Sequence, residues 1–440
     1  MRILQAAGWY LPTSLGGTEV YVSALSAWLA SRGDEVLVTA PEAGAAGPRR
    51  YAHDGIEVFR YPIPAEPTRD EARGDAVARG AGHLHDRLAD WRPDVVHAHT
   101  FVTGLGVLEL EAARAAGAKV VVTSHSASLG YTCQRGTMLR DGRALCDGLA
   151  EPVKCAACAL LQRGVPAGLA ASLARTPLPI ARAARAWPGR TGTAVAMPAL
   201  IEANRARQAR LFATIDRFVV LSCWAADVLR MNGAPGAKVM VNRLGVAPRS
   251  GGWPPASRPG GPPLVCGVVA RPEPIKGIAD AVLAVAGLPP GVAVTLRVVA
   301  GASSAAERAE LDRCRGLAGG DPRIRFEPPV PPDDVPALLG SFDVLVCPSR
   351  AVEGGPTVAL EAHAVGTPVV GTAIPALTEI VPPDAGALVP VGDWPALGAL
   401  LAALAADPGL LAAWRAHLPA PRRFDEVCAD YGALYDALVA

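Results

Sequence analysis

Short apolar runs alternate with stretches of helical periodicity along most of this chain. In the first half the runs fall at residues 2–6, 36–39, 56–60, 95–99 and 119–126. In the second they fall at 264–270, 295–300, 323–326, 344–347 and 367–371. Runs this short, rich in Val and Ile and bounded by Gly, Pro or Asp, read as strands covered on both faces. The intervening segments carry helix signals. Val20, Leu25, Trp28 and Leu29 recur at helical spacing after Gly16 and Gly17, and Gly33 stops that helix. Further helices are predicted at 76–90, 305–317, 357–365 and 424–438, with Asp333 or Asp334 capping another before Val335. Strand and helix in alternation predict a doubly wound parallel α/β sheet, built twice.

Two stretches break the pattern. Residues 127–213 do not alternate and read as an insert. The chain regains order at 216–246 as strand, Ser222 cap, helix to Met231 and strand 239–243. Residues 249–263, RSGGWPPASRPGGPP, have linker composition. The predicted layout is a first domain over 1–248 containing the insert, a linker at 249–263, a second domain over 264–422, and a final helix at 423–440.

Charge and composition narrow the function classes. Lys plus Arg is 42 against 41 Asp plus Glu, so no overall field selects nucleic acid. No run of about 18 uncharged apolar residues predicts a membrane span. The first ten residues, MRILQAAGWY, enter a strand at once, which leaves no room for a signal peptide. Nine cysteines, four clustered and five scattered, do not form a secreted disulfide pattern. These features predict a cytoplasmic protein.

The richest stretch is FDVLVCPSRAVEGGPTVALEAHAVGTPVVGTAIPALTE, residues 342–379. It reads as strand, loop, helix and strand, with Gly354 and Gly355 before the helix. Free backbone N–H groups and the positive dipole end make an anion site there. Glu353 falls on the loop. Glu361 falls in the helix among Val358, Ala359, Leu360 and Ala362, where a carboxylate could accept two hydrogen bonds from a sugar diol. Arg271 and Lys276 lie five apart on a strand-to-helix turn, a bidentate fork and a point charge that could both reach a diphosphate. His97, His99 and His125 stand at C-terminal ends of predicted parallel strands, where open α/β sheets bind ligands.

Glu353-x7-Glu361 inside PSRAVEGGPTVALEAHAVGTPVV resembles the signature of family 4 retaining glycosyltransferases of the two-Rossmann GT-B fold. The resemblance covers about 1–126 and 215–440. It implies two doubly wound domains facing across a cleft, a nucleotide-sugar donor held by the second, and retention of anomeric configuration. By the same resemblance Glu353 lies by the donor sugar, Glu361 binds the ribose, and His125 faces the reaction centre. Arg271 and Lys276 match the family's diphosphate turn, with Ala270 where Gly is usual. Gly16, Gly17, Thr18 and Glu19 match its Gly-Gly-x-Glu, whose backbone approaches the donor phosphates. His99 is placed along the acceptor cleft. Ile374 and Pro375 stand where relatives carry Gly-Gly. The final helix would cross back onto the first domain. No catalytic metal is expected. A sugar-nucleotide epimerase of the same fold, or a non-catalytic scaffold, remain as alternatives.

The insert carries its own chemistry. Cys133, Cys146, Cys155 and Cys158 are separated by twelve, eight and two residues, and Cys155-x-x-Cys158 is a half-site for a structural zinc, with a disulfide pair or four ordinary thiols as the rival readings. From 159 to 217 there are nine Arg, no Lys, and only Glu202 and Asp216. With Trp187 and many aliphatic residues, this reads either as a basic surface for contact with the inner face of a membrane and a lipid-linked or glycan acceptor, or as helices packed on the first domain with solvated Arg faces.

Overall fold

The computed structural model describes residues 1–14, 16–126, 128–247, 252–255, 261–352 and 354–440. They form two compact units: Met1–Gly136 with Asp147–Arg243 and Asp425–Ala440, and Thr137–Cys146 with Leu244–Phe424. Most of the expected linker, 249–251 and 256–260, lies outside the described residues.

The first unit is built on β1 (Arg2–Ala6), β2 (Glu35–Ala43), β3 (Arg49–His53), β4 (Ile56–Ile63), β5 (Val95–Ala98) and β6 (Lys119–Ser124). A two-stranded hairpin, β7 (Leu139–Arg140) and β8 (Ala144–Leu145), follows, and its residues fold with the second unit. Strands β9 (Arg217–Val220) and β10 (Val239–Val241) return to the first sheet, whose order is β10-β9-β6-β5-β1-β2-β4-β3. Every pair is parallel except β3 with β4. Chain direction across the sheet reverses between β1 and β5, so the crevice beyond their C-terminal ends is a switch point.

The second unit carries β11 (Leu264–Val269), β12 (Val294–Val299), β13 (Ile324–Glu327), β14 (Val344–Cys347), β15 (Val369–Thr372) and β16 (Gly386–Val389). All pairs are parallel, in the order β13-β12-β11-β14-β15-β16, with the switch point between β11 and β14. Val268, Val282, Leu296, Val298 and Val346 lie at its core, covered by the apolar helices Ile278–Ala286 and Trp394–Ala406. The latter helix is apolar because it packs on this core through Leu397, Leu401 and Leu404. Among the described residues no single helix is long and apolar enough to cross a membrane.

One device recurs where a strand begins. The Asp94 carboxylate, just before β5, accepts the Arg2 N–H of β1 at 2.7 Å. Asp216 before β9 does the same for Val120 at 2.8 Å, and Asp343 before β14 for Val265 at 2.8 Å. Each satisfies a neighbouring strand's N–H at the sheet end.

Several local expectations need correction. Val20 is exposed while Glu19 is buried, because the inward face of helix Gly17–Ser31 is Tyr21, Val22, Leu25, Ser26 and Leu29. Strand β3 stands in what reads as a loop; its alternating burial marks an edge strand with few core contacts to betray it. Asp334 precedes helix Val335–Gly340 without a side-chain capping bond.

The insert is a helical layer rather than a metal-clamped loop. Helices Pro152–Leu161, Ala167–Leu173, Leu178–Ala184, Gly189–Val195 and Met197–Thr214 share an apolar cluster that includes Ala156, Leu160, Ala184, Met197 and Ile201. Among the described residues no three His, Cys, Asp or Glu side chains gather as a metal site around Cys133, Cys146, Cys155 or Cys158. The expected zinc clamp is not assembled. Cys155 and Cys158 lie one turn apart on helix Pro152–Leu161, which joins the insert's apolar cluster through Ala156, Ala159 and Leu160. The arginines also find protein partners. Arg182 pairs with Glu202 at 2.9 Å, Arg210 with Glu111 at 2.6 Å, and Arg207 with Asp75 at 2.6 Å, which Arg185 also contacts. Arg182, Arg185, Arg207 and Arg210 are thus engaged by acids of the first unit, two of which, Asp75 and Glu111, lie outside the insert.

Candidate active site

In the second unit, site chemistry collects at the switch point. Arg271 follows β11 by two residues, and Lys276 ends the 3-10 turn Pro274–Lys276. Gly277 then sits at φ +69°, and a Cβ there would lie 1.8 Å from the Pro348 carbonyl oxygen. Only glycine fits both the left-handed backbone and this close approach. The loop after β14 is laced to the same turn. Arg350 donates its N–H to the Ile275 carbonyl at 2.7 Å, and its Nε to Asp280 Oδ2 at 2.5 Å. Asp280 is buried in the first turn of helix Ile278–Ala286 and holds the Arg350 guanidinium above its ordinary pKa. Thr372 Oγ1 donates to the Ser349 carbonyl at 2.6 Å, and the Val352 N–H to the Thr137 carbonyl of the hairpin segment at 2.9 Å. The loop that leads to residue 353 is thus held from three directions.

Arg271 is 60% exposed and pairs with Glu273 at 3.0 Å, a partner the spacing argument did not include. An exposed pair of this kind is worth little, so an incoming anion can compete for it. Beside it a recess of about 540 Å³ opens at the ends of β11 and β12, lined by Val269, Ala270, Val299, Ala302, Ser303 and Pro329. Gly355 adopts φ +136°, and helix Thr357–Ala364 starts behind Pro356, which has no side-chain acceptor to cap it. Pro356 is the N-cap residue, so the helix begins at Thr357 as its sequence suggests. Gly354 and Glu361 are part-buried. Glu353 lies outside the described residues.

In the first unit, β1, β5 and β6 bring three histidines together. His99 Nδ1 lies 3.1 Å from His125 Nε2, and its Nε2 lies 2.7 Å from Gln5 Oε1. His97 meets the Tyr435 hydroxyl at 2.6 Å and Thr123 Oγ1 at 2.7 Å. Tyr431 reaches Thr123 at 2.8 Å and Tyr21 at 3.0 Å. Burial pushes all three imidazoles down, His125 to about 4, with the neighbouring rings adding repulsion at His97 and His99. They are uncharged at neutral pH. Tyr431 and Tyr435 come from helix Phe424–Val439, which the Asn242 side chain also grips by donating to the Val427 carbonyl at 3.1 Å.

Gly16 is the N-cap of helix Gly17–Ser31, and a Cβ there would lie 2.7 Å from Glu19 Oε2. The buried Glu19 accepts a hydrogen bond from Ser14 Oγ at 2.7 Å. A Cβ at Gly17 would meet no atom within 4 Å, so no protein neighbour requires glycine there.

Sequence reading names His99 and His125 but misses Gln5, Thr123, Tyr21, Tyr431 and Tyr435. The i,i+4 tyrosines of the last helix were the one available signal, since they share a helix face. It misses Asp280 and Arg350 as partners because 70 residues separate them.

Two family models match the chain: a "Glycosyl transferase 4-like domain" over residues 16–165 and "Glycosyl transferases group 1" over 254–417. A D-inositol 3-phosphate glycosyltransferase from Acidothermus cellulolyticus is 34% identical over 47% of the chain and 49% of its own length, so the chain spans about half of that relative. A 2-deoxystreptamine N-acetyl-D-glucosaminyltransferase from Streptomyces fradiae is 29% identical over 87% of the chain and 81% of its own. Among solved structures, a sucrose-phosphate synthase from Thermosynechococcus elongatus matches with TM-score 0.68 at 19% identity, covering 100% of this chain and 99% of that one. Anabaena HepE, solved with UDP-glucose, matches with TM-score 0.62 at 14% identity, covering 99% and 100%. At these identities the structures attest the fold.

Proposed function

This chain belongs to the family 4, group 1 glycosyltransferases, and on that premise we propose that it moves a sugar from a nucleotide-sugar donor to an acceptor with retention of anomeric configuration. One observation carries the reading: the Arg271–Lys276 turn and the loop after β14 are tied together at the switch point of the second sheet, beside an apolar recess. The recess suits a nucleobase. Lys276 and Arg271 neutralise the leaving diphosphate, the work a divalent cation performs elsewhere. Glu361 holds the ribose and Glu353 the transferred sugar. The open backbone at Gly16 and Gly17 approaches the donor phosphates, as do Gly354 and Gly355 at the second helix N-terminus. His125 meets a sugar hydroxyl, and His99 supports it.

HepE was solved with UDP-glucose, which makes uridine diphosphate sugars the first donors to try. The names of the relatives make inositol 3-phosphate and 2-deoxystreptamine the first acceptors. The internal pairing of the insert's arginines favours such soluble acceptors over a lipid-linked one at a membrane. The test is a thermal-shift panel of UDP-, ADP- and GDP-sugars, since a ligand of the native state raises the transition temperature. Mass spectrometry of acceptor mixtures follows. A stabilising nucleotide sugar and a product heavier by one glycosyl unit support the reading. Stabilisation by none of the donors would reject it, and donor turnover that is independent of acceptor would move the assignment to an epimerase.

A further inference from the structure

We propose that Gln5 and His99 are positioning residues that set the tautomer of His125, so that it offers a fixed hydrogen-bond acceptor to a ligand hydroxyl. The chain of atoms runs through one buried line. Gln5 Oε1 is a carbonyl oxygen and can only accept, so the contact at 2.7 Å requires the proton on His99 Nε2. A neutral imidazole has one N–H, so His99 Nδ1 carries a lone pair. The contact at 3.1 Å then requires His125 Nε2 to donate. That leaves Nδ1 of His125 unprotonated. Among the described residues Nδ1 of His125 makes no hydrogen bond, and it is not among the buried polar atoms sealed off without a partner. The edge of the Tyr21 ring, with centroids 4.8 Å apart, fixes the imidazole plane.

This proton arrangement requires neutral rings. Burial supplies that condition, and the His97 and His99 rings, with centroids 3.9 Å apart, disfavour charge on either. Gln5 itself is fully buried in the middle of β1, with its Oε1 facing His99. The consequence for recognition is chemical: an unprotonated Nδ1 selects an O–H or N–H donor and repels phosphate oxygens. Under the transferase reading, on which this use of the acceptor rests, it selects a sugar hydroxyl and leaves the diphosphate to the second unit.

The test is made on the unliganded full chain, so it does not depend on any sugar being transferred. Protein labelled with 15N-histidine is examined by long-range nitrogen–proton correlation at neutral pH, with His125 assigned through His125→Gln. The expected spectrum shows His125 protonated at Nε2 and bare at Nδ1, and His99 likewise. Gln5→Leu removes the acceptor and is expected to let both tautomers of His125 appear. Nδ1–H at His125 in the wild type overturns the proposal, because it would mean that Gln5 presents its amide N–H instead. An unchanged His125 pattern in folded Gln5→Leu overturns the positioning role. Should that variant fail to fold, the wild-type spectrum decides alone.

Discussion

The two sheets present unlike chemistry at their switch points. The second unit offers exposed or part-buried cations on a short turn, set by local backbone geometry at Gly277 and by the Arg350–Asp280 pair. The first unit offers neutral imidazoles enclosed in a network that gathers β1, β5, β6 and the last helix. A cation that stabilises a leaving diphosphate must keep its charge, so it stays near solvent or an acid. A group that reads a hydroxyl must keep one lone pair in one place, so it is buried and hydrogen-bonded from behind. Screening acts on the first kind and desolvation on the second.

The sharpest way to break this contrast uses the glycines. Gly277→Ala puts a methyl against the Pro348 carbonyl in a left-handed backbone, and we expect a loss of about 4 kcal/mol with loss of nucleotide binding. Gly16→Ala meets only the end of the Glu19 side chain, and the expected cost is below about 1 kcal/mol. Denaturant unfolding of both variants checks the pair. Equal costs would dissolve the distinction between backbone and side-chain control.

Next comes charge. Lys276→Ala and Arg271→Ala are each expected to cost about 2–4 kcal/mol in kcat/KM. Steady-state kinetics with the donor from the thermal-shift panel decides this.

The imidazoles respond to pH instead. Their folded pKa values lie below the unfolded one, so between the two the unfolded chain binds more protons and stability rises with pH. It is complete above about 6.5 and is lost as pH falls toward about 4 at His125. For that residue alone we expect about 2 kcal/mol between pH 6.5 and 5. Unfolding at the two pH values, with His125→Gln as reference, measures it.

The smallest effect concerns the insert. Asp75→Asn leaves Arg185 and the nearly buried Arg207 without a carboxylate, and about 1–2 kcal/mol of stability should go. If liposome binding then appears at low salt, the pairing was masking a basic surface.

Much of the second site is legible because it is local. Lys276 and Arg271 sit on one turn, and Gly354, Gly355 and Glu361 lie within one strand–helix unit, so spacing and glycine placement show them. The first site is legible only as isolated histidines at strand ends. Its working partners come from β1 and from residues 431 and 435, more than 300 positions away from His97 and His125. The cysteine spacing misleads for the same reason. A two-residue gap brings thiols close along the chain, but helix Pro152–Leu161 buries its apolar face on other helices and gives the insert a core without metal.

Periodicity, turn glycines and the order of apolar runs determined the two doubly wound α/β sheets, since these follow from backbone sterics and burial, which act over a few residues. Tertiary structure alone decided which strand ends meet, that hairpin residues 137–146 fold with the second unit, and which acids quench the insert's arginines. Those outcomes depend on contacts between residues far apart in the chain, and short-range patterning carries no record of such partners.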